Sequence, residues 1–218
     1  MKTRSLLVVC AVALLAAPLA LANDLNVVNT NVISGSYDLE ITLTGDNDPC
    51  YVESQHPSAE TGISIEWKMK VTDMALGGGA GQVRNLRVMK GISTFPAPGA
   101  VGAEHLVVFL KRPYDGSSNY RIRVMTGTDA GFFTSCAEGF FAIPNVAKTV
   151  RVEWVAGTVP WSNDSRCSVY VNDVLLGEAM TNFVDYNVDT VRFGAFQLTH
   201  PTAGSGHYKI DDVVITRQ

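Results

Sequence analysis

Apolar and polar residues alternate with a period of two along most of the chain. Ile63, Ile65, Trp67 and Met69 fall on one side of a segment, and Ser64, Glu66, Lys68 and Lys70 on the other. Side chains in a strand point alternately to opposite faces, so this pattern predicts antiparallel sheets with one face on a core and one in water. Tyr120–Met125 repeats it, and so does Val150–Val155, with Val150, Val152 and Trp154 on one face and Arg151 and Glu153 on the other. Ser168–Val171 runs through Asn172-Asp173 into Val174–Leu176, which predicts a hairpin, because Asn and Asp tolerate the left-handed backbone of a tight turn. Further strands are expected near 37–43, 85–92, 105–111, 139–143, 190–198 and 207–216, separated by turn-rich stretches such as Gly45–Pro49, Gly77–Gly81 and Pro113–Asn119. No convincing helical period appears. The expected fold is therefore all-β, an antiparallel two-sheet β-sandwich or jelly roll in a single domain over 23–218.

The first 22 residues follow a different rule. Lys2 and Arg4 precede an uncharged apolar run from Leu6 to Ala16, Pro18 breaks it, and Ala20-Leu21-Ala22 places small residues where a signal peptidase cuts. This predicts a signal-peptide helix over 1–22 and a secreted or periplasmic protein with no membrane span after cleavage. The apolar run is short for a spanning helix, which needs roughly 20 residues.

Composition narrows the partners. The 218 residues carry 17 basic and 21 acidic side chains, a net charge of −4, and 46% are apolar. Residues 1–22 hold two basic and no acidic side chains, so the processed chain has 15 basic against 21 acidic, a net charge of −6. A nucleic-acid binder needs a positive excess to neutralise phosphates, and none exists here. Cleavage also removes Cys10 and leaves Cys50, Cys136 and Cys167. Disulfides persist outside the cytosol. The pair expected is Cys136–Cys167, each near the rim of a strand in the same half of the chain; three unpaired thiols are the alternative.

Three segments resemble, in order, the concanavalin A-like lectin/glucanase jelly rolls, the group that includes laminin-G-like modules. Val169-Tyr-Val-Asn-Asp-Val-Leu175 is similar to their strand-turn-strand, although Asp173 stands where that pattern favours Gly. Val188-Asp-Thr-Val-Arg-Phe-Gly-Ala195 resembles the strand that follows, and Tyr208-Lys-Ile-Asp-Asp-Val-Val-Ile215 the closing strand. Tyr51–Ser54 with Pro57–Glu60 is similar to segments of secreted bacterial proteins of this fold that lack an assigned task. The resemblance implies the fold and leaves lectins, hydrolases, lyases and adhesion modules open.

Linear catalytic signatures are missing. Hydrolases of this fold carry paired carboxylates on one strand, and no Glu-x-Asp-x-x-Glu run occurs. No Gly-x-Ser-x-Gly elbow is present, and His56, His105, His200 and His207 are scattered. The expectation is therefore a secreted non-catalytic lectin-like module that binds a glycan or a cell-surface polymer. The alternatives are a polysaccharide-cleaving enzyme, hydrolase or lyase, whose residues come from separate strands, and an adhesion module with no small ligand. Aromatic rings stack on sugar faces, which selects Trp161 and Tyr114, with Phe95 and Tyr186 in further loops. Arg121, Arg123 and Arg151 would line one sheet if their strands were neighbours, and would favour acidic sugars. Asp211-Asp212 in the last strand should point to opposite faces unless a bulge intervenes. The inward carboxylate then needs a cation, either an arginine or a structural calcium shared with Asp38 and Glu40.

Overall fold

A computed structural model describes residues 23–30, 32–45, 48–76, 85–94, 104–112, 119–128, 132–142, 144–159, 163–182, 187–197 and 204–218. The expected leader over 1–22, the aromatics Phe95, Tyr114, Trp161 and Tyr186, and His200 lie outside these residues.

The described chain is built from strands: β1 (Asp24–Val28), β2 (Asp38–Leu43), β3 (Cys50–Glu60), β4 (Gly62–Val71), β5 (Ala75–Leu76), β6 (Asn85–Ile92), β7 (Glu104–Lys111), β8 (Tyr120–Gly127), β9 (Phe133–Ala142), β10 (Lys148–Val155), β11 (Ser165–Val171), β12 (Val174–Thr181), β13 (Val188–Ala195) and β14 (Gly204–Arg217). They form two antiparallel sheets. One runs β1-β2-β14-β4-β10-β11-β12, with β5 paired to β14, and the other runs β3-β13-β6-β7-β8-β9. No helix among the described residues is long and apolar enough to cross a membrane.

The two-residue period decides what lies between the sheets. Ile63, Ile65, Trp67 and Met69 of β4 are fully buried beside Val150, Val152 and Trp154 of β10. Leu106, Val108 and Leu110 of β7, Ile122 and Val124 of β8, and Phe193 of β13 face them from the second sheet. The Trp67 ring meets Phe193 edge-on at 5.3 Å between centroids, and Trp154 Nε1 donates to Thr126 Oγ1 at 2.9 Å. Both tryptophans thus tie one sheet to the other; removing such a ring costs about 3–5 kcal/mol.

The expected hairpin is present. Asn172 and Asp173 sit at φ 50° and 62°, the left-handed pair that a two-residue turn requires, and Val171 faces Val174 across it. Asn172 also exchanges two hydrogen bonds with Thr149, fixing the turn against β10. The sequence did not signal β3. This edge strand, CYVESQHPSAE, shows no apolar alternation because most of its residues are exposed.

Candidate functional site

The outer face of the six-stranded sheet gathers charge that lies scattered in the sequence. The register sets out three rows. Asn85, Lys111, Arg121 and Phe140 stand in line across β6, β7, β8 and β9. Arg87, Phe109, Arg123 and Glu138 form the next row across the same strands. Glu53, Arg192, Lys90, Val107 and Met125 form the third, across β3, β13, β6, β7 and β8.

Six basic side chains (Arg87, Lys90, Lys111, Arg121, Arg123, Arg192) thus meet three carboxylates (Glu53, Glu104, Glu138) on one face of an acidic chain. Two of the carboxylates are each shared by two cations. Glu104 takes Arg87 at 2.9 Å and also Lys90, and Glu138 takes Lys111 at 2.5 Å and Arg123 at 3.5 Å. Arg192 pairs with Glu53 at 3.0 Å. Sharing leaves a positive surplus, and an arginine fork is shaped to meet a carboxylate.

Aromatic rings are interleaved with these cations. Arg87 lies over Phe109 at 5.5 Å, Lys90 Nζ over Phe196 at 4.8 Å, and Arg192 over Tyr51 at 4.7 Å. Tyr51 stacks on Phe196 at 5.4 Å. Rings and cations alternate over an open sheet face, which suits an extended polymer that brings both sugar faces and negative charge.

At one end of this face a buried polar cluster holds β6 to β13. Asp189, fully buried, accepts hydrogen bonds from Thr94 N at 2.6 Å, Thr94 Oγ1 at 2.8 Å and Thr190 Oγ1 at 2.7 Å. Ser93 Oγ donates to Asn187 Oδ1 at 2.7 Å. His105 is 3% exposed at a register shift in β7; burial lowers its pKa, and the nearby Asp189 carboxylate opposes that. His105 stands at the start of an apolar strand, where the sequence allows either a packed or an edge histidine, and it is packed.

The three arginines singled out from the sequence do not share a surface. Arg121 and Arg123 lie on β8 in the rows above. Arg151 lies on β10 of the other sheet, between Glu66 and Tyr170, so it points away from them on the opposite side of the sandwich. There it covers the Tyr170 ring at 4.4 Å, 3.7 Å from Glu153 and 3.8 Å from Asp173. Strand order within a sheet is not local information, which is why spacing did not reveal this.

At Asp211-Asp212 the exception that the sequence leaves open, a bulge, is what occurs, and neither carboxylate is driven inward. Asp211 faces Lys68, but the next ladder pair is Val214 with Glu66, so β14 carries one residue more than β4 here. This bulge, with Asp212 at φ 49°, turns both carboxylates to one side. Ser34 Oγ stands 2.5 Å from Asp211 and 2.8 Å from Asp212, and Lys68 Nζ is 2.6 Å from Asp212. The hydrogen bonds from Lys68 and Ser34 hold the Asp212 carboxyl below its ordinary pKa. Asp38 is 2% exposed, accepts the Ile33 N–H at 2.8 Å, and has its pKa pushed up by burial against the opposing pull of Lys209 and Lys70. Among the described residues no three His, Cys, Asp or Glu side chains come together in a way that would hold a metal ion.

Cys136 on β9 and Cys167 on β11 are both buried thiols on strands that approach each other across the interior, and burial with the neighbouring Cys136 thiol pushes the Cys167 thiol up. Cys50 lies apart from them on β3, its Sγ 3.8 Å from the Asp24 carbonyl.

No protein-family model matches the chain, and no curated protein matches it in sequence. Solved structures match its fold. It is similar to an endo-β-1,4-glucuronan lyase from the fungus Trichoderma reesei, with a TM-score of 0.61 at 12% identity over 91% of this chain and 89% of that one. An alginate lyase solved with an alginate trisaccharide gives 0.58 at 14% identity, over 84% of each chain. A marine alginate lyase from Zobellia galactanivorans gives 0.56 at 11% identity, over 85% of this chain and 79% of that one. These likenesses bear out the jelly-roll β-sandwich. They also correct the expectation of a non-catalytic lectin-like module: these neighbours of the same fold are polysaccharide lyases, so the fold does not mark a module without catalysis.

Proposed function

We propose that this chain is an exported polysaccharide lyase that binds an acidic polysaccharide across the outer face of its six-stranded sheet. The observation that carries this reading is the surplus of cations on that face, set among the Tyr51, Phe109 and Phe196 rings, on a chain of net charge −4. The lyase neighbours support it, and the basic and apolar start of the chain supports export.

The chemistry such a face serves is β-elimination at a uronate. Arg87, Lys90 and Arg192 meet the sugar carboxylate and withdraw its charge, which acidifies the C–H beside it. A base removes that proton, the electron pair forms the ring double bond, and the glycosidic C–O bond breaks as its oxygen takes a proton. Tyr51, beneath Arg192, supplies a hydroxyl for the proton transfer.

The test is incubation of the purified protein with polyglucuronate, alginate and neutral cellulose. An elimination creates a conjugated double bond, so ultraviolet absorbance should rise on an acidic polymer and stay flat on cellulose. Reducing ends that accumulate without that absorbance would mean hydrolysis, and no cleavage of any acidic polymer would end the proposal.

A further inference from the structure

We infer that Cys136 and Cys167 close into a disulfide that staples the two sheets together at the β9–β12 edge of the sandwich. The argument begins with how close the sheets come there. Stacked sheets ordinarily lie about 10 Å apart. Here β9 of one sheet and β11 and β12 of the other contain Cα atoms within 8 Å of each other.

Small residues permit this approach. A Cβ on Gly177 would stand 2.9 Å from Ala137 Cβ, and one on Gly139 would stand 2.5 Å from Leu176 Cδ1. Ala179 sits opposite Cys167 in the β11–β12 register. Ala137, Gly139, Gly177 and Ala179 thus draw the edges of the two sheets together, and the two cysteines stand within that seam, 5% and 0% exposed. A disulfide needs Cα atoms within about 7 Å, which a normal sheet spacing of about 10 Å does not allow, whereas the strands that carry the two cysteines come within 8 Å of each other here.

The third cysteine is no competitor. Cys50 lies on β3, at the far edge of the six-stranded sheet from β9. Five strand spacings separate the two, roughly 24 Å at about 4.8 Å each.

Oxidation joins the two sulfurs. A thiolate of the pair attacks the sulfur of a small-molecule or enzyme disulfide and displaces one thiol. The second cysteine then attacks the mixed disulfide and displaces the other. Two S–H bonds of the protein become one S–S bond, and the oxidant becomes two thiols. Burial closes the pair to reagents once the sandwich is formed, so the exchange belongs to folding. Its occurrence in the cell rests on the export reading, because an oxidising compartment supplies the disulfide.

The experiment separates the two. The protein is reduced, unfolded and refolded in a buffer of glutathione and glutathione disulfide, then denatured without reductant, alkylated and digested for mass spectrometry. The expected result is a cross-linked peptide joining Cys136 to Cys167, with Cys50 alkylated and neither Cys136 nor Cys167 alkylated. Alkylation of Cys136 and Cys167, or a cross-link from either of them to another cysteine, would overturn the inference. A Cys136→Ala variant refolded in parallel should show both Cys50 and Cys167 alkylated. Fractionation of the producing cells tests export by itself, so protein retained in the cytoplasm would refute that reading without touching the refolding result.

Discussion

Arg87 and Arg123 stand two strands apart on the outer face of the six-stranded sheet, each opposite Phe109 in the register. Neighbouring strands are about 4.8 Å apart, which sets the two backbones roughly 10 Å from one another. Each arginine is shared with a carboxylate that also holds a lysine, Glu104 for Arg87 and Glu138 for Arg123. Two cations with a ring between them form a ladder on which a polyuronate can rest its charges and its sugar face.

Arg123→Ala should therefore weaken binding of polyglucuronate or alginate. A hydrogen bond to a charged group contributes about 1.5–3 kcal/mol, so the dissociation constant should rise about ten- to a hundredfold. Arg151→Ala removes the same charge from the opposite side of the sandwich and should leave binding unchanged. Titration calorimetry at fixed salt compares them. Equal losses in the two variants would mean that net charge, not this face, attracts the polymer.

Tyr51→Phe should separate cleavage from binding. The ring still stacks on Phe196 and still lies under Arg192, and only the hydroxyl is lost. General acid–base help is worth about 10²–10⁴-fold, so turnover should fall by that order while KM holds. A variant with full turnover would remove Tyr51 from the proton transfer.

Thr126→Val should destabilise the sandwich with little change of shape. Thr126 Oγ1 accepts the Trp154 indole N–H at 2.9 Å and donates to the His105 carbonyl at 3.1 Å, so one hydroxyl links β8 to the other sheet and to β7. Valine fills the same volume with no acceptor. Loss of a buried hydrogen-bond partner costs about 1–3 kcal/mol, which a urea titration resolves. An unchanged midpoint would show that this bond contributes nothing net.

Trp67 and Trp154 were legible in the sequence because burial in a strand follows a local period, and both are fully buried. So was the turn at Asn172-Asp173, which depends on two adjacent residues. Arg151 was not separable from Arg121 and Arg123, because which sheet a strand joins is decided by partners far along the chain. Whether a bulge follows Asp211 stayed open for a similar reason: it is a mismatch between β14 and β4 that neither strand shows alone. The candidate site was legible only in pieces, since nothing local in the sequence sets Arg87, Lys90 and Arg192 beside Arg123; the strand register does.

His105 should make stability depend on pH in one window. Its ordinary pKa is 6.5, and burial lowers it in the folded state. Below 6.5 the unfolded chain takes up a proton that the folded chain refuses, so stability falls as pH drops from 6.5 to the lowered folded value and this dependence then ends. The slope from one proton is at most about 1.4 kcal/mol per pH unit. His105→Gln should remove this slope from urea midpoints measured through the window. Parallel curves for the two proteins would show that His105 charges equally well in both states.

Gly177→Val tests the seam between the sheets. The glycine's Cα lies so close to β9 that an added Cβ would stand 2.9 Å from Ala137 Cβ and 3.3 Å from both Ala137 Cα and the Cys136 carbonyl. Two of those three neighbours are backbone atoms, which cannot turn aside as the end of a flexible side chain can. β12 must then lift away from β9, and the gap opens along the edge where Leu176 packs over Gly139. Overpacking of this kind costs about 1–3 kcal/mol even in cores that adjust. The same displacement separates Cys167, which pairs with Ala179 on β12, from Cys136 on β9. Gly177→Val should therefore lower the melting temperature and, in the refolding assay, raise the fraction of molecules in which Cys136 and Cys167 are alkylated. A variant that melts like the parent would mean that β12 is not seated on β9.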